Sequence, residues 1–159
     1  MNGHEINGFI LQPGAGKQLV LKGGPLVIKA DGDDTADAVG VWEDTVPPNE
    51  GPPLHIHHKS HELFYVLAGK FKFRVGHKTE EVGDGGFVFI PKGLVHTYKN
   101  VGQSGGRLFG FVVPSGLERF YQAQARLGPG QMTPEKYREL GRAYDMDVIG
   151  DPLCSTFKL

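Results

Sequence analysis

Three features of the sequence predict an all-β protein, a sandwich or barrel, with a short helical extension at its C-terminus. The first is punctuation: 24 glycines and 11 prolines stand mostly between short apolar runs, the pattern of short strands joined by tight turns. The second is alternation. In KFKFRVG, Phe71, Phe73 and Val75 share one face while Lys70, Lys72 and Arg74 share the other, as expected of a strand buried on one side and wet on the other. The third is a change of period after Pro114.

Taken in order, PLVIKA (25–30) and AVGVWEDTV (38–46) are rich in branched and aromatic residues and read as strands. DGDDTAD between them consists of turn formers and is expected to be a loop. Next come ELFYVLAG, KFKFRVG, GGFVFIP, LVHTYKN and RLFGFVVP, each bounded by Gly, Pro or Asn. Their aromatic residues Phe64, Phe71, Phe73, Phe87, Phe89, Tyr98, Phe109 and Phe111 are expected mostly in the core, a few lining a pocket. Beyond Pro114, Ser115 and Glu118 have capping-box spacing, and Leu117, Phe120, Tyr121 and Leu127 fall near helical spacing until Gly128-Pro129. Thr133-Pro134 opens a second helix with Tyr137, Leu140 and Tyr144 as its apolar stripe. Whether these helices pack on the barrel, on a partner subunit or over a mouth is left open. With no repeat and no long linker, residues 1–159 are expected to form a single domain.

Composition narrows the class of function. The chain is 39% hydrophobic and 22% charged, ordinary for a globular protein, and no apolar run approaches the roughly 20 residues of a membrane helix. A formal charge of -1 argues against nucleic acid or an anionic membrane as main partner. The start, MNGHEINGFILQPG, carries no readable secretory signal, and the single cysteine, Cys154, permits no intrachain disulfide. A cytoplasmic location is the expectation, with Cys154 a packed or solvated side chain.

The chemistry concentrates in GPPLHIHHKSHE (51–62), which holds four of the seven histidines. On a strand, His55 and His57 project from one face with Ile56 on the other. Glu62 shares parity with Phe64 and Val66, and a carboxylate on that face is costly unless it is paired or bound to a metal. His96 follows the turn Pro91-Lys92-Gly93 with Tyr98 on its own face. If the sheet closes into a small barrel, these four groups can converge on one divalent ion. The plain alternative is a hydrogen-bonded polar mouth that binds no metal; a pH switch is a further one. His58 is expected to be exposed, His4 and His77 solvated, and His61 either exposed or at a pocket mouth.

The same residues resemble the two motifs of the cupin superfamily. HIHHKSHELFYVLAG supplies His55, His57, Glu62 and Gly69, and GGFVFIPKGLVHTYKN supplies Gly85, Pro91, Gly93, His96 and Asn100. One departure is Gly51, with three residues between it and His55 where the family pattern usually has five. The resemblance covers roughly residues 25–113 and extends to small bacterial cupins called quercetin-dioxygenase-like. It implies a double-stranded β-helix barrel over 25–113 with 114–159 as a helical extension. It also implies one divalent metal per chain held by His55, His57, Glu62 and His96, and a homodimer.

The function expected from this resemblance is that of an oxygenase acting on a small, aromatic or enolic substrate, with Fe(II) the first choice and Mn, Ni, Co or Cu alternatives. Glu62 would be both ligand and catalytic proton acceptor. Zn fits the ligands but excludes that chemistry. The competing expectations are a lyase, isomerase or cyclase using the metal as Lewis acid, and a non-catalytic binding module.

Overall fold

A computed structural model of the chain describes residues 6–128 and 130–153. The expectations for His4, Pro129 and Cys154 fall outside the described residues. Alternation and turn chemistry produce two antiparallel sheets. The first runs β1 (Lys17–Leu21), β2 (Gly24–Ala30), β3 (Gly40–Val46), β10 (Gly106–Val113), β5 (His61–Ala68) and β8 (Phe87–Ile90) in spatial order. The second runs β11 (Met146–Gly150), β4 (Leu54–His57), β9 (His96–Asn100), β6 (Phe71–Val75) and β7 (Lys78–Val82). Residues Gly76 and His77 turn β6 into β7, and Gly76 takes φ +59°, a left-handed conformation that glycine adopts without steric penalty.

The inward faces of the two sheets meet in an aromatic core. Phe64 of β5 lies between Trp42 of β3, Phe73 of β6 and Tyr98 of β9, with ring centroids 6.3, 5.6 and 5.3 Å away. Truncating such a residue to alanine costs about 3–5 kcal/mol. In the second sheet, β4 meets β9 at the single pair His55↔His96.

Four expectations are corrected. DGDDTAD is not all loop: Asp31 accepts hydrogen bonds from the amides of Asp33 and Asp34, and this cap closes one helical turn, α1 (Gly32–Thr35). The Ser115–Glu118 capping box does not form. The N-cap of α2 (Leu117–Ala125) is Gly116, the Ser115 hydroxyl turns to Asp37, and Glu118 turns inward to accept the amides of Gly32 and Gly116. Helix α2 stops before Leu127, and its buried Phe120 packs edge-on against Tyr137 of α3 (Pro134–Ala143). The segment after Pro114 is not helical throughout, for β11 returns to the second sheet beside β4, and β1 likewise lies before residue 25.

The fourth correction concerns the aromatics. Phe64, Phe71, Phe73 and Tyr98 are core, but Phe87 and Phe89 are 60% and 50% exposed. They point outward from β8, and register sets them in two rows, Phe87-Tyr65-Phe109 and Phe89-Leu63-Phe111, across three strands of the first sheet. Both α2 and α3 pack on the barrel, Tyr121 meeting Trp42 at 5.4 Å. No helix among the described residues is long and apolar enough to cross a membrane.

Candidate metal centre

Three strands deliver four buried donors. Parity places His55 and His57 on the inward face of β4, the antiparallel register sets His96 of β9 opposite His55, and Glu62 enters from β5. All four are at most 4% exposed. Their ligand atoms lie within 4.8 Å of one another, close to the roughly 4 Å that separates opposite ligands of one ion.

Backbone carbonyls fix the imidazoles. The Nδ1 atoms of His55, His57 and His96 lie 2.7, 3.2 and 2.9 Å from the carbonyl oxygens of Pro53, Asp145 and Leu94. A carbonyl only accepts, so each Nδ1 carries the hydrogen and each Nε2 is left to face the cluster. Glu62 Oε2 lies 2.7 Å from His96 Nε2 and 3.4 Å from His57 Nε2.

The electrostatics are those of a site built around positive charge. Burial raises the energy of the Glu62 carboxylate, yet the adjacent His57 and His96 imidazoles outweigh it and hold the carboxyl well below its usual range. Burial, with the neighbouring His96 and His57, drives His55 well below the usual imidazole value. For His57 burial works the same way, but Glu62 overcomes it and raises the value. His57 Nε2 is buried with no hydrogen-bond partner among the described residues. An orphaned lone pair costs about 1–3 kcal/mol, and a cation shared with Glu62, His55 and His96 satisfies it. The residues fit a divalent ion.

The remaining histidines stand apart. His58 is exposed and pairs with Asp147 at 2.9 Å. His61 accepts the Lys92 amide and packs its ring on Phe89, on the outer side of the sheet. His77 is exposed in its turn. Gly51, displaced from the family spacing, lies so close to Tyr98 that a Cβ would overlap its carbonyl oxygen. That contact holds the loop before β4 against β9.

A cavity of about 110 Å³ opens beside the centre, lined by His55 and Glu62 and walled by Leu26, Val46, Phe120 and Met146 among others. The C-terminal segment supplies part of that wall through α2, α3 and β11. The sequence pattern did not single out one polar group here, Asp44, which accepts a hydrogen bond from the Tyr98 hydroxyl at 3.1 Å. The signal existed: Asp44 shares parity with Trp42 and Val46, the same argument that singled out Glu62.

Residues 42–114 match the family model described as a cupin domain. The chain is similar to mannose-1-phosphate guanylyltransferase of Escherichia coli K12, 32% identical over 75 residues, which is 47% of this chain and 16% of that protein. The Salmonella typhimurium counterpart, ManC, is 29% identical over 75 residues, again 47% of this chain and 16% of that one. The chain thus spans about a sixth of the length of the curated relatives it matches.

Among solved structures, it resembles an RmlC-like cupin from Shewanella frigidimarina, with a TM-score of 0.59 and 15% identity over 69% of this chain and 93% of that one. KdgF from Halomonas sp. gives 0.56 and 14% over 63% and 88%. A "predicted oxalate decarboxylase" from Thermotoga maritima gives 0.55 and 19% over 57% and 79%. These likenesses establish the fold alone. The two sheets are a cupin barrel, and the chain is a cupin-fold protein with a three-histidine, one-glutamate cluster able to hold a metal.

Proposed function

We propose that this protein is a mononuclear metal-dependent enzyme, an oxygenase of the quercetin-dioxygenase-like type acting on a small aromatic or enolic substrate. The observation that supports this is the position of the cluster: His55 and Glu62 face a largely apolar cavity. His55, His57, His96 and Glu62 would hold one divalent ion, Fe(II) before Mn, Ni, Co or Cu. When bound, a redox-active ion supplies open positions for a deprotonated substrate oxygen and for dioxygen. The apolar wall excludes water and selects a flat or apolar body. Glu62 takes the proton released by a substrate hydroxyl, in a wall that also carries Asp44, hydrogen-bonded by Tyr98.

The test is consumption of dioxygen by the Fe(II)-loaded protein with a panel of phenols and enols, in air and under strict anoxia. Turnover that stops without oxygen supports the reading; turnover that persists sinks it. Asp44 favours a second reading, Lewis-acid isomerase or lyase chemistry, because a carboxyl facing the same cavity can relay a proton without any oxidant.

A further inference from the structure

Asp44 is a half-buried carboxyl in the cavity wall that the four-donor cluster does not use. It sits on the inward face of β3 and shares the cavity with His55 and Glu62. Its Oδ2 accepts from Tyr98; among the described residues its other oxygen has no hydrogen-bond partner, and no ion pair involves it. Lys22, the one cation lining the same cavity, is exposed. A carboxylate so placed is poorly compensated.

We propose that Asp44 is a catalytic acid and base, which in its neutral form donates a hydrogen bond to an oxygen of the bound substrate and passes it that proton. This rests on the reading that substrate occupies the cavity beside the metal ligands. The bonding of Asp44 dictates the chemistry. Tyr98 saturates one oxygen as an acceptor, so the proton sits on the other, aimed at whatever fills the cavity. In the transfer the O–H bond of Asp44 breaks, an O–H bond forms on a carbonyl or enolate oxygen of the substrate, and the electron pair left on the carboxylate is held by the Tyr98 hydroxyl. The reverse transfer restores the acid. Tyr98 is a positioning residue.

The neighbourhood supports a near-neutral group. Burial pushes the Asp44 carboxyl up to about 7, against the opposing hydrogen bond from Tyr98. Facing it are Tyr98 from β9, Tyr121 from α2 and Tyr137 from α3, all kept protonated by burial. His55 and Glu62 belong to the metal cluster, and Glu50 and Lys22 complete the ionisable lining. An acid that changes charge near neutral pH works in both directions. The geometry thereby selects a substrate class: a small, mostly apolar molecule with two oxygen functions, one for the metal ligands and one acceptor for Asp44.

The experiment uses the full chain loaded with Zn(II) and 4-nitrophenol as probe, whose absorbance separates phenol from phenolate. Carboxyl ¹³C NMR of aspartate-labelled protein follows Asp44 directly, assigned by the signal that Asp44→Asn removes. The expected results are a signal that moves on adding the probe and that titrates near neutrality. The Tyr98→Phe variant is expected to titrate at higher pH. Asp44→Leu, which leaves no donor, should keep one Zn per chain and bind the probe about tenfold more weakly, the loss of one hydrogen bond. An Asp44 signal indifferent to the probe, unchanged binding by Asp44→Leu, or a wild type that takes up no probe overturns the assignment. If Asp44→Leu fails to fold, the probe response of the near-neutral signal and its shift in Tyr98→Phe decide. Absence of Zn from a wild type whose Asp44 signal still answers the probe sinks the metal reading and leaves the Asp44 assignment standing.

Discussion

His57 Nδ1 lies 3.2 Å from the carbonyl oxygen of Asp145, 88 residues further along the chain. The orientation of one candidate ligand is thus set by the segment leading into β11, which also pairs Met146 with His57 and Val148 with His55. A chain ended after Tyr144 is expected to bind its metal about 10–100-fold more weakly, the usual effect of losing a group that orients a ligand. Competition against a chelator of known affinity measures it; equal retention would mean that β11 does not support the site.

Removing a ligand is a more direct test. Purified protein is expected to carry close to one divalent ion per chain, and His57→Ala to lose most of it. Elemental analysis of both proteins is the measurement, and unchanged metal in the variant would refute the ligand assignment.

Asp44 ties stability to pH. Its carboxyl titrates at about 7 when folded, against an ordinary value of 3.8, so the folded state binds this proton more tightly than the unfolded one. That contribution is fully present below about pH 4 and is lost as pH rises through 7, roughly 3–5 kcal/mol in all. Glu62 has the opposite sign, for its lowered value gives stability that is complete above the usual carboxylate range and flat in this window. His57, raised, slopes with Asp44, so the comparison must be between variants. Asp44→Asn is expected to gain more stability relative to wild type at pH 8 than at pH 5, read from urea unfolding. An equal difference at both pH values would contradict it.

The outer rows Phe87-Tyr65-Phe109 and Phe89-Leu63-Phe111 form an uncharged patch on the outer face of the first sheet, bordered by the ion pair of Glu43 and Arg107. Against a second copy of itself, such a patch pairs like with like. A homodimer is the expected state in light scattering, and Phe89→Glu is expected to shift it toward monomer. A monomeric wild type would remove that expectation.

The clustering of the candidate donors was legible because parity and spacing within one short strand are local properties: His55, Ile56 and His57 alternate whatever surrounds them. The aromatics of β8 were not, because alternation names two faces without saying which is inward. Phe87 and Phe89 show that an apolar face can remain outside. The strand β7 was invisible, since KTEEV at a sheet edge is wet on both sides and carries no apolar rhythm. The strand β11 was missed because its partner lies nearly ninety residues away, beyond any local pattern. Glu118 had capping-box spacing, but a tertiary partner, the amide of Gly32, claimed its carboxylate instead.

Only one rung, His55 to His96, joins β4 to β9. Hydrogen bonds from Gly93 to His57 and from Asn100 to Glu50 flank that rung, and the two ribbons, β11-β4 and β9-β6-β7, meet where the donor atoms converge. An ion held by residues of both ribbons would add a further tie across that seam, so metal loading would be a mechanical event for the barrel as well as a chemical one. Amide exchange in β4 and β11 should quicken on chelation while β6 and β7 stay as slow as before.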